Sequence, residues 1–266
     1  MIKLRSSFLT TSLSVVAFST MLISSSSLAD AEAVRKSGQG ITLEADPDLP
    51  TGKLDDLVAD IETTKRRVVA YLQNADIYKS KYKDHRIAFV VSNEFRFPYQ
   101  EGNKIYLPRP RVENLFNDDC EKKNCSLAIA HELTHVFAIS ANRENKDIKY
   151  GGRFFDDGLA VFLQHKLGLR PSYPNFGRGL HTLVANLAEK HNLIPLENAE
   201  HVRNTNQGNE LRLLAYLQEG SFTEFLIENF GLNQYLRIYF GEKPQEVVGY
   251  DMASLEQKWR TFILAL

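Results

Sequence analysis

The stretch Ser126–Ile139, SLAIAHELTHVFAI, places two histidines and a glutamate inside a segment that otherwise reads as buried helix. Polar side chains on such a face lose hydration, and that loss must be offset by a partner, a proton or a metal ion. In His131-Glu132-Leu133-Thr134-His135 the histidines stand four residues apart, so both imidazoles leave the same side of a helix and can meet one cation. Glu132 sits beside the pair, where it can act as a general base next to the ion. Leu133, Val136 and Phe137 supply the apolar packing that holds the helix still. Zinc suits two neutral imidazoles and a carboxylate, with a fourth position left open.

The rest of the chain sets the context for that helix. Its 266 residues, 43% hydrophobic and 24% charged, describe an ordinary globular protein with enough apolar material for a sizeable core. At the start, Lys3 and Arg5 precede an apolar, Ser/Thr-rich stretch ending in small residues, the order expected of a signal peptide cleaved after Ala29. The hydroxyl content of that stretch argues against a stable membrane anchor. Removing Lys3 and Arg5 from the 32 basic residues leaves 30 against 33 acidic ones, a formal charge of −3, so no basic field for nucleic acid exists. An exported, periplasmic or secreted chain lives where disulfides persist, and Cys120 and Cys125 in CEKKNC are expected to pair. With both cysteines bridged, a closed structural zinc site is disfavoured and an open one favoured.

Three segments follow: residues 1–29 as signal peptide, 30–85 with an amphipathic helix, and 86–266 as the main domain. TGKLDDLVADIETTKRRVVAYL carries Leu54, Leu57, Val58, Ile61, Val68, Val69 and Leu72 close to helical spacing. RIAFVVS reads as a central strand and NKIYLP as an edge strand between Gly102 and Pro108. From Cys125 onward the pattern is helical, in DDGLAVFLQHKLG, GLHTLVANLAEKH, NELRLLAYLQEGSFTEFLIENFG and SLEQKWRTFILAL. The expected fold class is α+β, a small N-terminal sheet followed by a mainly helical region.

Two ligands do not complete a zinc site, and FFDDGLAVFLQ, Phe154–Gln164, offers adjacent carboxylates at a helix start. HELTH followed by this segment resembles the gluzincin, or peptidase MA-like, metallopeptidases, in which a glutamate directly before glycine, in a segment like W-x-x-E-G-x-A, is the third ligand. Matched to that pattern, Asp157 takes the ligand place, with Phe154, Gly158 and Ala160 at the aromatic, glycine and alanine places. The carboxylate is one methylene shorter than the family's, and Asp156 is the alternative ligand. YLQEGSF resembles the family's Y-x-x-G-G-S-F, with Glu219 where the first glycine is common, and this implies that Tyr216 assists the tetrahedral intermediate. NKIYLP resembles the edge strand that pairs with an extended substrate. The resemblance implies a zincin-like domain hydrolysing peptide bonds of a peptide or protein substrate, with His131, His135 and Asp157 on zinc. The shorter Asp157 keeps a non-catalytic zinc-binding protein open as the alternative. His85, His165, His181, His191 and His201 show no partner pattern, although His165, eight residues after Asp157, could stand behind the ligands. Substrate preference and oligomeric state are open at this level.

Overall fold

The computed structural model describes residues 33–115, 125–141, 152–206 and 210–266. β1 (Val34–Gly38) and β2 (Ile41–Ala45) form an antiparallel hairpin whose turn needs a left-handed backbone at Gly40, φ +69°. Ile41, Leu43 and Ala45 alternate inward along β2, the period that a half-buried strand dictates. The chain then crosses through α1 (Thr51–Leu72) and the short α2 (Asp76–Lys79) to β3 (Ile87–Ser92), which runs parallel to β2. Leu54, Leu57, Ile61, Val68 and Leu72 of α1 are buried as their spacing predicts, whereas Val58 and Val69 are half-buried at the stripe's margin.

β4 (Tyr99–Glu101) and β5 (Lys104–Pro108) complete a five-stranded sheet of order β1-β2-β3-β5-β4. RIAFVVS is central, as its apolar composition requires. The expectation for NKIYLP needs correction: β5 pairs with β3 on one side and, over Lys104–Tyr106, with β4 on the other. Gly102, at φ +57°, folds the chain back into a second hairpin, and Tyr99 stacks on its cross-strand partner Tyr106 with ring centroids 4.6 Å apart. The sheet's edge on that side is therefore the three-residue β4. The hairpin of β1 and β2 was not anticipated either, because VRKSGQGITLEA alternates over only a few residues and carries weak apolar content.

Helices make up the remainder: α3 (Arg109–Asn114), α4 (Ile129–Phe137), α5 (Phe154–Leu167), α6 (Leu180–Ala188), α7 (Leu196–Thr205), α8 (Glu210–Phe230), α9 (Leu232–Tyr239), α10 (Pro244–Val248) and α11 (Met252–Ile263). The fold is thus α+β, a small sheet followed by a mostly helical region. α8 runs through the centre of the helical part, and every residue from Leu217 to Thr223 is buried. α5 crosses it at glycines. A Cβ on Gly158 would lie 2.7 Å from Thr223 Oγ1 and 2.8 Å from the Glu219 carbonyl oxygen, and one on Gly220 would strike Val161. Both glycines are therefore required for the close approach. The polar residues of the buried α8 segment are all engaged; Gln218, for instance, exchanges two hydrogen bonds with the Ile194 backbone, of 3.0 and 2.8 Å.

Cys125 is disulfide-bonded, and the sequence has one other cysteine, Cys120, which falls outside the described residues, as do 1–29. No helix among the described residues is long and apolar enough to cross a membrane.

Candidate metal centre

α4 is only nine residues long and is entered through Ala128 in a left-handed conformation, φ 47°. Its first turn gets no cap from its own sequence. Instead Gln164 of α5 reaches across, and its Oε1 accepts from the backbone N–H groups of Ala130 (2.9 Å) and His131 (3.3 Å). The helix that carries the histidines is thereby fixed to the helix that carries the aspartates.

His131 Nε2 and His135 Nε2 lie 3.1 Å apart. Asp157 Oδ1 is 3.3 Å from the second and 3.8 Å from the first. Donors held tetrahedrally at about 2.0–2.1 Å from one zinc ion stand about 3.3–3.4 Å from one another. The triangle present in the structure has that size, so the donor set fits a single zinc-sized cation.

Asp156 points elsewhere. Fully buried, its Oδ1 accepts from the Ser140 backbone N–H at 2.7 Å and from the Tyr239 hydroxyl at 2.8 Å. These bonds engage it in the packing of the segment after α4 against α9, away from the imidazoles.

The second carboxylate oxygen of Asp157 meets Arg203. Arg203 Nη2 is 2.6 Å from Oδ2, an ion-pair contact in which neither atom gains a well-aligned hydrogen bond. The Arg203 Nε donates to Glu219 at 3.2 Å, its Nη1 stands 3.4 Å from the Tyr216 hydroxyl, and its guanidinium lies 4.7 Å from the centre of the Tyr216 ring. Arg153 Nε approaches the same Oδ2 at 3.8 Å from its more exposed position. Burial alone would raise the Asp157 pKa, but Arg203 and the bond from His135 outweigh it and hold the carboxyl well below the usual range. Glu219 goes the other way. Burial lifts it well above the ordinary carboxyl value, and Arg203 opposes that rise. His131 is pushed down to about 3, chiefly by burial and then by His135, which keeps its imidazole lone pair free of a proton.

Glu132, buried next to the pair, is raised to about 7 by burial. It lines a cavity of about 740 Å³ together with His131 and Tyr216. The Tyr216 ring centroid is 6.5 Å from that of His131, and burial raises its hydroxyl to about 12, so it remains a proton donor. His131, Glu132, His135, Asp157 and Tyr216 thus come together at one place. His165 does not join them; its Nδ1 pairs with Asn175 at 2.8 Å. His181 has partners that its sequence did not suggest, Glu224 and Glu228, each 3.4 Å from its Nε2.

No protein-family model matches the chain, and no curated protein matches it either.

Arg203, Arg153 and Gln164 were not singled out from the sequence. A signal for Arg203 was present: it falls seven residues after Leu196 and four after Ala199, the other buried residues of α7, so it occupies an apolar-face position where a charge demands a partner. Gln164 lies one residue beyond an apolar run and carries no comparable signal.

Proposed function

We propose that this protein is a zinc-dependent metallopeptidase of gluzincin-like chemistry, exported and acting on peptide or protein substrates. The observation that carries the reading is the convergence of two imidazoles and one carboxylate oxygen, mutually 3.1–3.8 Å apart, beside a buried glutamate at the wall of a large cavity. His131, His135 and Asp157 would hold the ion, and when bound it supplies Lewis acidity and makes water acidic enough to lose a proton near neutrality. Glu132 takes that proton and returns it to the departing amine. Tyr216 donates a hydrogen bond to the oxyanion that develops on the scissile carbonyl. Arg203 orients the Asp157 carboxylate and, through its contact with the Tyr216 hydroxyl, links it to the oxyanion donor. The oxidised Cys125 supports export, because structural disulfides persist outside reducing compartments.

The alternative is a zinc-binding protein without turnover. Arg203 favours it, since a guanidinium on Asp157 Oδ2 draws charge from a ligand that is already short. Metal analysis and peptide-library hydrolysis of the parent protein, His131→Ala and Glu132→Gln separate the readings. One zinc per chain is expected in the parent and in Glu132→Gln, none in His131→Ala, and hydrolysis in the parent alone. Full hydrolysis by Glu132→Gln refutes the mechanism, and zinc without hydrolysis in the parent selects the alternative.

A further inference from the structure

The cavity in front of Glu132 has a cation in its wall that nothing in the mechanism uses. Arg111, the third residue of α3, is 8% exposed. It lines the cavity together with His131 and Glu132. Its Nη1 donates to the Ser126 carbonyl oxygen at 2.8 Å and its Nη2 to that of Arg96 at 3.2 Å. Its Nε has no hydrogen-bond partner, and among the described residues no carboxylate pairs with it, burial being the one influence on its charge. The ring centre of Phe97 lies 5.4 Å from the guanidinium carbon.

A guanidinium has five N–H donors in a rigid fork, and two neutral carbonyls leave most of them unused. Every other strongly buried arginine of the site is matched: Arg203 faces Asp157 and Glu219. Arg111 is therefore a largely buried positive charge with no counter-ion among the described residues, placed on the wall where a substrate would lie. Its ordinary partner in geometry and charge is a carboxylate. Burial already works against its proton, and an arriving anion would reverse that penalty.

We propose that Arg111 is a carboxylate-binding residue of this cleft, so that the peptides it takes carry a carboxylate, as an acidic side chain or as a free C-terminus. The inference rests on the peptide-binding reading of the cavity given above. The full-length chain bearing Glu132→Gln, loaded with zinc, is titrated with three fluorescent peptides of otherwise identical neutral sequence: one with a single glutamate and an amidated end, one with a free C-terminal carboxylate, and one with neither. At least one carboxylate peptide should bind about 10-fold or more tightly than the neutral amide, and Arg111→Gln should bring the two within about 2-fold. Whichever peptide gains identifies the source of the carboxylate. Arg111→Lys, which keeps the charge without the fork, should give an intermediate preference and serves if the glutamine variant fails to fold. Equal binding of all three peptides, no binding of any, or a preference that survives Arg111→Gln overturns the proposal. Failure of the peptidase reading shows separately, as absent zinc in the metal analysis that precedes the titration or as hydrolysis that Glu132→Gln leaves unchanged.

Discussion

Replacing Arg203 by methionine removes the cation shared by two buried carboxyl groups while keeping most of the stem that packs against Tyr216. Asp157 Oδ2 and Glu219 Oε1 lie 2.6 and 3.2 Å from its nitrogens, and the three side chains are 3, 0 and 6% exposed for Asp157, Glu219 and Arg203. Deleting one partner of a buried ion pair costs about 3–5 kcal/mol, because the charge left behind has lost both water and counter-ion. That cost is counted once, because a single cation is removed and burial raises the Glu219 carboxyl while Asp157 is held well below the usual range. For a chain of this size each kcal/mol moves the melting temperature by about 2–4 °C, so the variant should melt about 6–20 °C below the parent. Thermal unfolding followed by circular dichroism in a chelator is the appropriate assay, because bound metal would otherwise add its own stabilisation. Glu219→Gln is the internal control and should lose only about 1 kcal/mol, the net worth of one hydrogen bond. If Arg203→Met melts within about 2 °C of the parent, Arg203 is not the compensating charge, and the account of how Asp157 is held fails.

Asp157→Ala should lose zinc while Asp156→Ala keeps it, read by competition with a chromophoric chelator. In denaturant Asp156→Ala should nonetheless cost about 2–4 kcal/mol, because it removes the carboxylate that accepts from the Ser140 N–H and the Tyr239 hydroxyl. Gly158→Ala should cost about 1–3 kcal/mol by forcing α5 from the Glu219 backbone and should weaken zinc binding by displacing Asp157; unchanged zinc affinity would separate the crossing from the site. Tyr216→Phe should lower kcat by about 10²-fold or more with KM little changed, and equal turnover would remove Tyr216 from the chemistry.

The histidine pair was legible because its spacing is tied to helix geometry: positions four apart on one helix must share a side, whatever the surroundings. Asp157 could be placed only by resemblance, and the reason for choosing it over Asp156 lies in tertiary contacts with Tyr239 and Ser140 that no local pattern encodes. Long elements were also legible, α1 by its period and α8 by its length and the closing Gly231. Short ones, α9 and α10 among them, were not, because fewer than three turns give too few positions for a period to emerge. The edge of the sheet was misplaced because a three-residue strand is held by pairing and by the Tyr99–Tyr106 stack and not by its own composition.

The Gln164 bridge bears on the order in which the molecule is made. A nine-residue helix is too short to persist alone in water, and α4 borrows its first-turn acceptor from a residue that the ribosome adds 33 positions after His131. The histidines therefore have no fixed spacing while they are the newest part of the chain. Arg203 comes later still, so ligand geometry and the charge that steadies it are both products of late synthesis. A chain truncated before α7 would contain His131, His135 and Asp157 and still lack the arginine that faces the Asp157 carboxylate, so a test of metal binding on such a fragment would report on an unfinished site.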